Sequence, residues 1–321
     1  MNAPDFHKPS FCFRLLIVDD VHPVLFDLLG SIQGLDCVYQ PDLPAADVRD
    51  VLQNFDGILL RSKIKLDAIL LSGLPRLKLI ARAGAGPDNI DQSVALARGI
   101  TLLHAGEGNR LAVAEHVVGM LLGLFNRLPQ SDAQVRLGIW NRVGNRGRQL
   151  RGLTVGIIGY GNNGSATAAL LSLLGCRVLA YDKYVSGFSG SGVIECELEM
   201  LLQQADVVSL HIPLNSETRG WVDASLLKRC LKNPVLVNAA RGEIVVLGDV
   251  VVALESGQIW GACLDVLPVE NPQKWDASLM SRLFALPNVV LSPHTAGWSA
   301  ESYRAISEVL AEKLAAFLCK N

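Results

Sequence analysis

Short apolar runs of strand character alternate with stretches of helical period from one end of the chain to the other. Residues 14–18 read as a first strand and 24–32 as its helix, then 37–39 as a strand and 45–53 as a helix. Strands at 57–60, 77–81 and 100–103 continue the series, with helices at 66–71 and 90–98 between them. A long apolar helix is expected from about Arg110 to Arg127. Glu115 and His116 interrupt its most apolar window, which is too short to span a bilayer, so a helix buried between domains is expected. Residues 136–151 are polar, basic and glycine-containing, and read as an exposed excursion. A strand then runs into Gly159, a helix is expected at 165–174, and strands follow at 177–181, 207–210, 235–238, 261–264 and 289–291. Helices at 198–204 and 248–256 lie among them, and a last one runs from about Ala300 to Leu318. This alternation is the pattern of parallel sheets covered by helices on both faces.

With 321 residues the chain has room for two domains. Half of the residues are hydrophobic and 19% are charged, which favours large cores over disorder. A formal charge of −2 gives no electrostatic reason to expect nucleic acid or a membrane as a partner. Seven cysteines (12, 37, 176, 196, 230, 263 and 319) show no CxxC and no ligand-like clustering, so reduced core residues, a cytoplasmic setting and no metal are expected. Residues 1–10 hold Pro4, Asp5 and Pro9 without an apolar core segment, and read as a loose terminus and not a signal peptide.

The chemistry begins at Val155-Gly-Ile-Ile-Gly-Tyr-Gly-Asn-Asn-Gly164. Between a strand and a helix, Gly159 permits a tight turn, Gly161 lets backbone approach a pyrophosphate, and Gly164 lets helix and strand pack closely. The following strand ends in Asp182, some 18 residues beyond Gly164, near the spacing of roughly 20 expected for a carboxylate on ribose hydroxyls. A dinucleotide site in the middle of the chain is therefore expected. Asp182 would repel the 2′-phosphate of NADP. Lys183 dilutes that repulsion, but Tyr184 and Val185 add no cation, so NAD is preferred.

Three further segments put ionisable residues at strand C-termini, where ligands sit in open α/β sheets. Arg241 lies in Asn-Ala-Ala-Arg-Gly-Glu, Asp265 and Glu270 in Leu-Asp-Val-Leu-Pro-Val-Glu, and His294 in Ser-Pro-His-Thr-Ala-Gly. A guanidinium suits a carboxylate held in fixed orientation, and histidine suits proton transfer near neutral pH. The opening Leu-Leu-Ile-Val-Asp-Asp20 suggests a phosphoacceptor domain of the response-regulator type. That reading fails because Arg61 stands where the third strand should end in a nucleophilic carboxylate, which leaves Asp19 and Asp20 a structural role.

Taken together, the motifs resemble the D-isomer-specific 2-hydroxyacid dehydrogenases over about residues 61–308, nearest the phosphoglycerate dehydrogenase branch. The resemblance implies an α/β fold in which a Rossmann NAD domain, residues 104–293, is inserted in a flavodoxin-like substrate domain made of 1–103 and 294–321. It also implies that Arg241 binds the 2-oxo acid, that His294 carries the proton, and that Glu270 orients and charges the imidazole. Cofactor contacts are implied for Gly159, Tyr160, Gly161, Asn162, Asn163, Gly164, Asp182, His211, Ile212, Pro213, Ala239 and Asp265, the last on the nicotinamide carboxamide.

The segment Arg82-Ala-Gly-Ala-Gly-Pro-Asp-Asn-Ile-Asp91 resembles the loop that holds the substrate carboxylate, through backbone N–H groups of Ala85 and Gly86. Arg61 and Ser62 resemble the loop that closes over substrate, and Asn109 a polar substrate contact. Arg61, Lys63, Lys65 and Arg142 are candidates for an anion pocket, which favours 3-phosphoglycerate and phosphohydroxypyruvate as the substrate pair. Hydroxypyruvate or glyoxylate reduction is the alternative, and an NAD-sensing corepressor-like binding protein is the alternative of another class. The segment Gly138-Ile-Trp-Asn-Arg142 resembles one that reaches a partner subunit, so a homodimer is expected. Two departures from the family stand out: Asn163 occupies a usually apolar place, and no C-terminal regulatory domain is expected.

Overall fold

A computed structural model describes residues 13–319. The readings on Pro4, Asp5, Pro9 and Cys12 lie outside the described residues. The chain divides into two compact units, one of residues up to Asn109 together with those from Ala300, the other Arg110–Ser299. These boundaries fall six residues later than the 103/104 and 293/294 read from the sequence, and the backbone bonding shows why. Ala105 N donates to Gly84 O, and the Lys313 ammonium holds His104 O at 2.7 Å, which binds residues 104–109 to the first unit. Thr295 and Ala296 instead donate their N–H groups to Asp265, which keeps the His294 loop with the second unit.

In the first unit the strands are β1 (Phe13–Ile17), β2 (Leu35–Tyr39), β3 (Gly57–Leu60), β4 (Leu79–Arg82) and β5 (Thr101–His104). They pair in the order β2-β1-β3-β4-β5, parallel throughout, so the strand order reverses between β1 and β3. Alternate residues feed two cores. Leu16, Ile58, Leu60 and Ile80 pack with Val48, Leu52 and Leu71, while Ile17, Leu59, Leu79 and Ala81 pack with Leu25, Leu29, Leu310 and Leu314. Burial on both faces explains why the central strands read as unbroken apolar runs. Leu310 and Leu314 belong to the Ala300–Leu318 helix, so the chain's last helix completes the unit that its first strand begins.

The second unit holds β6 (Thr154–Ile158), β7 (Arg177–Tyr181), β8 (Val193–Glu195), β9 (Val207–Leu210), β10 (Val235–Asn238), β11 (Gly261–Leu264) and β12 (Val289–Leu291). Their order is β12-β11-β10-β9-β6-β7-β8, again all parallel, with the reversal between β6 and β9. Val113, Val117, Leu121 and Leu124 of the Arg110–Phe125 helix join Ala168 and Leu171 of the Asn162–Leu173 helix over one face of this sheet. The long helix thus belongs to the second unit's core. Among the described residues no single helix is long and apolar enough to cross a membrane, and no group of His, Cys, Asp and Glu is placed to hold a metal.

Local differences from the sequence reading have local causes. Residues 128–136, for which no element was expected, form a short helix that ends where the 136–151 excursion was expected to begin, set off from the long helix by Arg127 in a left-handed conformation, φ 52°. The helix after the glycine loop starts at Asn162, three residues early, because Gly161 is extended and acts as its N-cap. The Ala277–Phe284 helix, not expected at all, is capped by Asp276, whose carboxylate accepts from Ser278 N and Leu279 N.

Candidate active site

Both sheets carry ionisable residues at the carboxyl ends of their strands. In the second unit Gly159 follows β6 and His211 follows β9, the two strands that flank the reversal. Gly159 has φ 94°, and a Cβ there would lie 2.6 Å from His211 O; one on Gly164 would lie 1.9 Å from Gly159 O. A Cβ on Gly161 would meet nothing within 4 Å. The loop is therefore closed on its packing side and open above Gly161, as a phosphate cradle needs. A cavity of about 520 Å³ beside it is lined by Gly159, Gly161, Asp182, His211, Ile212 and Pro213, together with Lys183, Tyr184 and Glu217. These residues fit a dinucleotide.

Asp182 is held firmly. One carboxylate oxygen accepts from Tyr160 N at 2.7 Å, and the other from Tyr184 N and Val185 N at 2.8 and 3.0 Å. Lys183 is turned aside, with its ammonium bonded to Glu217, which also accepts from the Tyr184 hydroxyl at 3.3 Å. The Tyr160 ring stacks on Phe188 with centroids 4.1 Å apart. Burial pushes the His211 imidazole down to about 4, so it is neutral near pH 7, with Nε2 2.9 Å from Ser209 Oγ. Asn162 and Asn163 occupy the first turn of the helix, and Asn163 Oδ1 is buried without a hydrogen-bond partner.

The same edge carries the catalytic candidates. His294 Nδ1 lies 2.7 Å from Glu270 Oε1, and both side chains are about half exposed. With Asp265 and Ser292 they line a cavity of about 360 Å³. Like Ala239, Arg241 follows the neighbouring strand β10. Its carbonyl is fixed by Asn238 Nδ2 at 2.9 Å, and its guanidinium donates to Ala240 O. Asp265 is almost wholly buried. Burial raises its pKa, but hydrogen bonds from His116, Ser292 and the backbone of Ala296 and Thr295 outweigh it and hold the carboxyl at about 2. The sequence reading missed His116 and Ser292. The one visible signal for His116 was its place beside Glu115 in an otherwise apolar helix.

In the first unit, Arg61 follows β3 beside the reversal. Its N–H donates to Asp19 at 2.5 Å, and its guanidinium lies 5.6 Å from the centre of the Tyr303 ring. Asp19 thus has the structural role expected of it. Asn89 donates to Arg61 O and Ile64 O, and Ala83 N donates to Leu60 O, which ties the loop of Arg61 and Ser62 to the loop of Ala85 and Gly86. Lys63 was a candidate for an anion pocket, but its ammonium is bonded to Pro41 O. Asn109 ends the first segment of the unit, with a buried Oδ1 that has no partner.

Residues 118–296 match the NAD-binding domain of the D-isomer specific 2-hydroxyacid dehydrogenases, and the chain belongs to this family. It is similar to D-3-phosphoglycerate dehydrogenase of Synechocystis sp., 31% identical over 303 residues that cover 94% of this chain and 53% of that protein. A protein of the same name from Bacillus subtilis is 33% identical over 307 residues, covering 95% and 57%. The chain spans about half the length of the curated relatives it matches. The solved structure of D-lactate dehydrogenase from Aquifex aeolicus, complexed with NAD and lactic acid, is similar with a TM-score of 0.80 at 27% identity, covering 96% of each chain.

Proposed function

We propose that this chain transfers hydride between NAD and C2 of a D-2-hydroxyacid, with 3-phosphoglycerate and phosphohydroxypyruvate as the substrate pair. The observation that carries the reading is the 2.7 Å contact between His294 Nδ1 and Glu270 beside the glycine-loop domain's strand ends. Bound NAD supplies or accepts the hydride. Glu270 engages Nδ1, which leaves Nε2 as the atom that gives a proton to the substrate oxygen in reduction and takes it back in oxidation. Each reduction then adds one hydride and one proton to the carbonyl. Arg241 presents a permanent cation to the oxo acid. In the first unit, taken by itself, the backbone N–H groups of Ala85 and Gly86, with the side chains of Arg61, Ser62 and Asn109, offer donors for the polar groups of such an acid. Asp182, its orientation set by three backbone N–H groups, selects NAD through the ribose hydroxyls, and Asp265 faces the carboxamide.

The exposed apolar side chains of Leu137, Ile139, Trp140 and Val143 support a homodimer, which sedimentation velocity tests. For the reaction, NADH oxidation is followed with phosphohydroxypyruvate, hydroxypyruvate, glyoxylate and a branched oxo acid. Turnover should be fastest with the first. His294→Ala should lower kcat by about a hundredfold or more and leave NAD affinity within about twofold. A His294→Ala protein that turns over like the parent overturns the assignment, and a preference for glyoxylate or hydroxypyruvate moves the substrate while keeping the chemistry.

A further inference from the structure

His294 is a non-glycine residue with φ 57°, a left-handed conformation that L side chains rarely adopt and that must be imposed by its surroundings. One residue imposes it. Asp265 takes three consecutive backbone N–H groups: His294 N donates to its carbonyl at 2.6 Å, Thr295 N to Oδ1 at 2.9 Å, and Ala296 N to Oδ2 at 3.0 Å. The direction of the His294 side chain is therefore set by where the Asp265 carboxylate sits.

The far side of that carboxylate is held by a relay. Ser292 Oγ lies 2.6 Å from Asp265 Oδ1 and 3.8 Å from Met120 Sδ, so its single proton goes to the carboxylate. His116 Nε2 lies 2.8 Å from Ser292 Oγ and 3.4 Å from Asp265 Oδ1. With the hydroxyl proton already committed, Nε2 must be the donor. His116 stands on the Arg110–Phe125 helix among Val113, Val117 and Met120, side chains that pack in the core. An imidazole on that helix has this relay as its polar contact.

We propose that His116 is a positioning residue for His294, acting through Ser292 and Asp265. The inference rests on the reading of His294 as the proton carrier. Loss of the donor at 116 frees the Ser292 hydroxyl to rotate, loosens one edge of the carboxylate, and lets the strained turn relax. Misplacing a reacting group by about 1 Å can cost up to a hundredfold in rate, so a partial relaxation should be visible in kcat.

The test compares His116→Leu with His116→Gln in the whole chain. His116→Leu should lower kcat about tenfold, leave KM for the oxo acid within about threefold, and shift the pH profile of kcat. His116→Gln, whose amide N–H can serve Ser292, should recover most of the loss. Ser292→Ala should reproduce His116→Leu, and the double variant should be no worse than either single one, as members of one relay require. The titration of the His294 ring followed by NMR gives a readout independent of turnover, and should change in His116→Leu but not in His116→Gln. Leucine and glutamine variants that behave alike, or a lowered melting temperature with kcat, pH profile and His294 titration unmoved, would overturn the proposal. If His116→Leu does not fold, Ser292→Ala decides by the same measures. Failure of the parent reading looks different: His294→Ala is then as active as the parent, whatever happens at 116.

Discussion

Asp265 and Glu270 stand five residues apart on one segment and are treated in opposite ways. Asp265 is buried, accepts from one hydroxyl and two backbone N–H groups, and has His116 at 3.4 Å. Glu270 is more than half exposed and touches the His294 ring at 2.7 Å. The first is an anion fixed by its surroundings, so it can hold a strained turn. The second shares its partner with water, and an ion pair of that kind contributes little to stability, about 0–1 kcal/mol. Such a pair can follow the charge on the imidazole through a reaction at small energetic cost. Burial with full hydrogen bonding gives position; exposure gives a contact that can change.

Asp265→Ala tests the buried half of the comparison and should have the largest effect. It strands Ser292 Oγ and two backbone N–H groups, which should cost about 3 kcal/mol or more in urea unfolding, together with most turnover. Acid unfolding gives a second measure. The folded carboxyl sits at about 2 against an ordinary 3.8, so its stabilisation is complete above about pH 4 and is lost as pH falls through 2. About 2 kcal/mol is at stake in that window. An Asp265→Asn protein should be less stable than the parent above pH 4 and converge with it toward pH 2. Parallel curves would mean that the carboxylate is not the anchor.

Glu270→Gln tests the exposed half. Turnover should fall about a hundredfold, while unfolding free energy moves by less than about 0.5 kcal/mol. A large stability loss would erase the distinction between the two carboxylates.

The sequence made this edge legible unevenly, for physical reasons. Gly159 and Gly164 were readable because a Cβ at either collides with backbone, so the motif is a steric requirement that a sequence must display. The parallel sheets were readable because their central strands are buried on both faces and run as unbroken apolar stretches. β8 escaped because it is a three-residue edge strand with an exposed Ile194 at its centre. His116 and Ser292 escaped because their meaning lies in contacts made across more than 170 positions, which no local pattern encodes. Lys63 looked like an anion ligand by its charge, and only the fold shows its ammonium on the Pro41 carbonyl.

The Lys183–Glu217 pair extends the exposed class to the cofactor cavity. Glu217 ties up Lys183, the cation next to Asp182 in the chain, so its removal should favour a 2′-phosphate. Glu217→Gln is expected to tighten NADP binding about fivefold, as the loss of one surface pair allows, and to leave NAD within about twofold. Adding Lys183→Met to that variant should remove the gain. Calorimetric titration with both cofactors decides it, and an unchanged NADP affinity in Glu217→Gln would show that Lys183 is not restrained by its partner.

Asn163 inverts the Asp265 case: a buried polar atom with nothing bonded to it. A buried acceptor left unsatisfied costs about 1–3 kcal/mol, partly relieved if water reaches it when the structure opens locally. Leucine has the same branching at Cγ, carries no polar atom and has a better helix propensity. Asn163→Leu should therefore stabilise the second unit by about 0.5–1 kcal/mol, read from the urea midpoint at constant slope, with NAD affinity unchanged. The sign of the result matters more than its size. Destabilisation would mean that Oδ1 has a bonding partner in solution. Stabilisation with weakened NAD binding would mean that the asparagine serves the cofactor. Only stabilisation with NAD affinity intact leaves Asn163 as what its geometry makes it, a polar side chain in an apolar place.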